Sequence, residues 1–181
     1  MTATDTTTTM TKVRLIIASV ITAALVAAVF FACDRLPSYS KASDKTIEDS
    51  GSDIVIDQTG RKIRVFIHSD LVWELEDEVK AQDFLFEDID HDGQKELLIL
   101  CWKKGRFGKK KPTWVEEDET DWSQHIFIYE VENDTVRPKW MASDIGMEAG
   151  SWSFSEGVLF ITDTKGATTR WIWRSWGLEK L

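Results

Sequence analysis

Beyond residue 53, apolar and polar residues alternate in short runs, and no helical three-to-four spacing is sustained past residue 33. Candidate strands fall at 54–56, 63–68, 72–75, 84–86, 97–102, 126–131, 136–141, 152–154, 158–161 and 169–173. Thr59-Gly60, Asn133-Asp134, Glu156-Gly157 and Lys165-Gly166 stand between them, and such pairs tolerate the positive φ of tight hairpin turns. The pattern predicts an all-β domain of antiparallel hairpins over 53–181, long enough for one core. At four strands per blade, about ten strands make two and a half or three propeller-like blades, whereas a closed propeller has at least four. The expectation is therefore a partial propeller of about three blades, a β-sandwich of the same hairpins, or a protomer that completes its ring with a partner.

The first 33 residues carry a different pattern. Residues 15–32 hold no charge over 18 positions, and Lys12 and Arg14 precede them. A spanning helix needs about 20 apolar residues and a cleaved signal fewer, so both a signal anchor and a cleaved leader are expected forms of this segment. Phe30-Phe31-Ala32-Cys33 resembles a lipoprotein cleavage site, with small Ala32 before the cysteine, which makes Cys33 the candidate lipidation residue. The basic residues on the short side place the bulk of the chain outside the cytoplasmic membrane, at the cell surface or in a periplasm. Residues 34–52 are rich in Ser, Asp, Lys and Thr without an apolar period, and they read as a linker.

The most informative stretch is 84–102. Asp88, Asp90 and Asp92 occupy positions one, three and five of a D-x-D-x-D-G loop, Gly93 permits a tight turn, and Glu96 stands at position nine. Calcium takes six to eight oxygens at roughly 2.3–2.6 Å, and a short loop supplies them when alternate side chains point inward. Asp88, Asp90, Asp92 and Glu96 are the candidate side-chain ligands, with the Gln94 carbonyl as a backbone ligand by analogy with other such loops. An EF-hand would need a Glu at position twelve, where Ile99 stands, and helices on both sides, where the runs read as strands. The phrase from Asp88 to Leu97 resembles the FG-GAP/VCBS-type repeat of β-propellers, over about 30 residues, although it occurs once and not blade after blade. That resemblance implies an extracellular or envelope module that binds proteins or glycans, with the ion holding its loop.

Charge narrows the partners. Setting aside Lys12, Arg14 and Asp5 leaves 20 basic against 30 acidic residues, a net charge of −10 outside the leader. Such a field opposes polyanions, so nucleic acid is not an expected partner. A basic block, Lys103, Lys104, Arg106 and Lys109 to Lys111, is answered by Glu116, Glu117, Asp118, Glu119 and Asp121 across a long polar loop at 103–124, and internal pairing is expected there. All nine tryptophans lie beyond Asp34. Trp171 and Trp173 share one side of a strand and read as packing between sheets, whereas Trp114 and Trp122 in the polar loop are candidate ligand contacts of a carbohydrate-binding module.

No zinc spacing, phosphate loop or nucleophile elbow is present, and His68, His91 and His125 are scattered, so a non-enzymatic protein is expected. Cys101 lies in an apolar strand away from Cys33 and reads as a buried free thiol. The reading with most support is a membrane-tethered, calcium-stabilised interaction module. Its alternative is a lectin-like module using Trp114 and Trp122.

Overall fold

The computed structural model describes residues 35–42, 44–105, 121–142 and 145–181. The chain divides into two units, Met1–Leu36 and Pro37–Leu181, and the second holds every described strand. The leader, Cys33, Trp114 and most of the 103–124 loop lie outside the described residues.

Twelve strands run in order: β1 Lys45–Asp49, β2 Ile54–Thr59, β3 Lys62–Ile67, β4 Asp70–Glu74, β5 Lys80–Glu87, β6 Glu96–Lys103, β7 Ser123–Glu132, β8 Thr135–Met141, β9 Ala149–Ser155, β10 Val158–Asp163, β11 Thr168–Arg174 and β12 Gly177–Lys180. They form three antiparallel sheets of four chain-consecutive strands, β1 to β4, β5 to β8 and β9 to β12. The fold is all-β, as the alternation predicts, and the up-and-down order within each sheet is the one blades share.

The middle sheet sits between the other two. Along β6, Leu97, Ile99 and Cys101 belong to one apolar core with residues of β2, β3, β5 and β7, including Ile56, Val65, Phe84 and Tyr129. Leu98 and Leu100 belong to a second core with Ile126, Ile128, Trp152, Leu159 and Ile161. Alternate residues of a strand face opposite sides, so the two cores lie on opposite faces of the sheet. That explains why residues 97–101 run apolar without a break, each of them fully buried. The outer sheets alternate instead: β2 buries Ile54, Ile56 and Gln58 and leaves Val55 and Asp57 partly open. Trp171 and Trp173 pack against the second core, as the two-residue spacing predicts.

A buried amide network joins the middle sheet to the third. Gln82 Oε1 accepts from Trp102 Nε1 at 2.7 Å and from Gln124 Nε2 at 2.9 Å, while Gln124 Oε1 accepts from the Ala149 amide at 2.6 Å. Both glutamines also donate to the Ala149 carbonyl. Because each is 4% exposed, leaving one of these groups unpaired would cost about 1–3 kcal/mol.

The structure differs from the sequence reading at both ends. The stretch 34–52 does not stay a linker: β1 begins at Lys45, and Lys45 Nζ donates to the Phe84 carbonyl at 2.6 Å and pairs with Asp83 at 3.2 Å. Upstream, Tyr39 packs on Trp102 and Arg61 donates to the Ser40 carbonyl. One apolar residue, Ile47, is too little for a periodicity, and cross-strand docking decides the matter. The strand β12 is hidden from sequence in the same way, with Leu178 as its one inward apolar residue.

Double-sided burial makes a sharp stability prediction. Leu98→Ala should lower the unfolding free energy by about 2–5 kcal/mol, as core truncations do. Ser153→Ala, on an exposed position of β9, should change it by about 0.5 kcal/mol or less. Urea denaturation measures both, and equal losses would contradict the layered core.

Candidate metal centre

The turn between β5 and β6 spans residues 88–95 and hangs from the buried core. Ile89 is fully buried in the second core, so the turn cannot lift away without exposing it. Asp88 organises the backbone: its Oδ1 accepts from the Asp92 amide and its Oδ2 from the Gly93 amide, each at 3.1 Å. His91 and Gly93 take φ of 63° and 93°, left-handed values that the tight reversal requires. His91 also reaches the β9–β10 turn, where a β-carbon on Gly157 would stand 2.7 Å from its ring. The loop thus comes close to the third sheet through His91, which is not among the converging acids.

Three of the expected ligands converge. One carboxylate oxygen each from Asp88, Asp90 and Glu96 lie within 4.8 Å of one another. Two oxygens bound to one calcium at roughly 2.3–2.6 Å stand no more than about 5.2 Å apart, so the trio matches a shared ion. Glu96 is 1% exposed, and its Oε2 accepts from the Ile89 amide at 3.1 Å. Asp90 Oδ1 is buried with no hydrogen-bond partner, an acceptor oxygen that a cation would satisfy. The trio does not extend to Asp92, whose Oδ1 accepts from the Gln94 amide at 2.8 Å. Gln94 borders an open cleft of about 360 Å³ with Ser52, His68 and Asp134. The residues present therefore fit a hard, oxygen-seeking cation through three of the four carboxylates read from the spacing.

The sequence did not reveal the fourth participant. Lys139 of β8 places Nζ 2.6 Å from Asp90 Oδ2, 2.7 Å from Glu96 Oε1 and 3.7 Å from Glu130 Oε1. The Trp173 ring centroid lies 5.7 Å from the same ammonium. Lys139 is 43 residues from Glu96, and a lone lysine in a strand gives no local motif to read. The three converging carboxylates and one ammonium carry two net negative charges when ionised, with Glu130 at the half-exposed rim.

Burial is the largest influence on Glu96 and raises its pKa above the usual carboxylate range, with the Lys139 and Ile89 hydrogen bonds pulling the other way. For Lys139, burial pulls downward, but the hydrogen bonds and charges of Asp90 and Glu96 together outweigh it, and its pKa lies above that of a free lysine.

Of the other candidates, Trp122 is half-buried with Lys104 Nζ 4.9 Å from its ring centroid, so an ammonium already lies over the indole. A serine–histidine pair also escaped the sequence reading. Ser123 Oγ lies 2.8 Å from His125 Nε2, and His125 Nδ1 donates to the Ala142 carbonyl at 2.9 Å. His125 is 7% exposed and packs on Phe127, which makes the pair a pin between β7 and the chain after β8.

The raised Glu96 pKa has a definite sign in stability. A carboxyl whose folded value exceeds its unfolded one adds stability below the unfolded value and loses it as pH rises through the folded one. The stability advantage of wild type over Glu96→Gln should therefore shrink as pH rises above the ordinary carboxylate range, read by urea midpoints. An advantage that grows with that rise would contradict the assignment.

No family model, curated protein or solved structure matches the chain, so the turn is interpreted from its own chemistry.

Proposed function

We propose that the chain is a membrane-tethered, non-enzymatic module that binds a partner outside the cytoplasmic membrane and holds its central turn with calcium. The observation that carries the cation is the buried, unpartnered Asp90 Oδ1 beside the other two carboxylates. An all-oxygen donor set on a short turn suits a hard cation and disfavours softer transition metals. Calcium is preferred to magnesium because it accepts irregular, flexible coordination. The tether is the apolar segment 15–32, with Lys12 and Arg14 orienting it, and acyl labelling of Cys33 separates a lipoprotein from a signal anchor.

Binding has a structural support in the outward faces of the first and third sheets. On the first, Val55, Phe66 and Leu71 are register neighbours across β2, β3 and β4, an apolar row on the side away from the core. Leu71 is 54% exposed, and Trp176 at the β11–β12 turn is 80% exposed. A contiguous apolar row with an exposed end is the kind of surface a protein partner covers. The partner is a protein, a second copy of the chain included.

Calcium should raise the melting temperature. Mass action sets the gain at about 2.7 kcal/mol when free calcium is a hundredfold above its dissociation constant. Extracellular modules bind at about 10⁻⁴–10⁻³ M, so the millimolar range is the one to scan. Asp90→Asn keeps the shape of the side chain and should remove most of the calcium-dependent gain. A melting temperature that is identical in millimolar calcium and in EDTA would overturn the calcium reading.

A further inference from the structure

We propose that Lys139 is the resident counter-ion of the β5–β6 turn and that a divalent cation binds there only by displacing its ammonium. The fold places this lysine in a particular way. Tyr129 pairs with Pro138 and Ile128 with Trp140, so Lys139 is the extra residue of a β-bulge in β8. A bulge re-aims the side chain it carries, and here it leaves Lys139 out of the ladder pairing while Nζ reaches Asp90 and Glu96. Proline at 138 suits this edge strand, where its missing amide breaks no inner ladder. The Lys139 side chain is 12% exposed and that of Glu96 2%, so the pair is not a solvated surface bridge.

The same geometry makes the two cations competitors. Lys139 holds Asp90 Oδ2 and Glu96 Oε1, oxygens of two of the three carboxylates that converge on the ion position. A calcium ion at about 2.4 Å from oxygens of these groups would bring two positive charges within a few ångströms of the ammonium. Their repulsion opposes holding both at full strength. Metal binding is then an exchange, in which the turn swaps an internal single charge for an external double one. The domain accordingly keeps a closed turn without metal, and its metal affinity is lower than the carboxylates alone would give. The exchange rests on the cation reading of this turn, whereas the placement of Lys139 beside Asp90 and Glu96 does not.

The test compares full-length wild type, Lys139→Met and the double variant Lys139→Met/Glu96→Gln, by thermal melting and calcium titration. Lys139→Met removes the ammonium and leaves Glu96 uncompensated, so it should melt below wild type in EDTA. It should recover in calcium and bind calcium at least tenfold more tightly. Equal calcium affinity in wild type and Lys139→Met, with wild type responding to calcium, would overturn the exchange and leave the calcium reading intact. A wild type indifferent to calcium beside a calcium-dependent Lys139→Met would support the resident counter-ion and overturn calcium as the native ligand. Should Lys139→Met fail to fold in either condition, folding of the double variant would assign the defect to the unpaired carboxylate, as proposed. Failure of both would make Lys139 a packing residue and overturn the proposal.

Discussion

The architecture depends on the burial of β6 on both of its faces. A strand that buries Leu97, Ile99 and Cys101 on one side and Leu98 and Leu100 on the other needs a sheet against each side, and the first and third sheets supply them. Each fully buried aliphatic side chain contributes roughly 1.5–3 kcal/mol, so this one strand concentrates more apolar burial than any stretch of an outer sheet. The hairpin β5–β6 is then fixed at its centre, and whatever closes its turn works on a rigid base. The outer sheets are asymmetric for the same reason, with one face against the middle sheet and the other in water.

That rigidity makes the charge of the turn matter. Ile89 is locked into the second core, and Glu96 is the first residue of β6, so neither can move to relieve repulsion among the carboxylates. Removing either partner of a buried ion pair costs about 3–5 kcal/mol, because the other charge stays behind without compensation. A positive charge at this position therefore stabilises the fold. Lys139 supplies one such charge from a bulge in the edge strand β8, while the orphaned Asp90 Oδ1 shows that the pocket has acceptor capacity left over.

Most of the strands were legible because hydrophobic alternation is a local signal, and the β5–β6 turn was legible because its acids alternate across a glycine. Spacing foretold that Asp88, Asp90 and Glu96 meet. It misplaced Asp92, since an aspartate in a tight turn also caps backbone amides, and here the Gln94 amide takes its oxygen. The strands β1 and β12 were not legible, each carrying a single apolar residue that docks on a neighbouring sheet. Lys139 was the largest omission, for its role exists only once β8 pairs with β7 out of register by one residue. The Gln82–Gln124 network is of the same kind: two glutamines 42 residues apart gain meaning only when their strands close around Ala149.

The proposed cation is held between Asp88, Asp90 and Glu96. Terbium shares calcium's preference for oxygen ligands and emits when a nearby indole passes it energy, and the Trp173 ring lies 5.7 Å from the Lys139 ammonium at that position. Titrating the full-length protein with terbium under tryptophan excitation should give sensitised emission that calcium reverses and that Asp90→Asn reduces severalfold. Emission that is absent, or that calcium and Asp90→Asn leave unchanged, would contradict it.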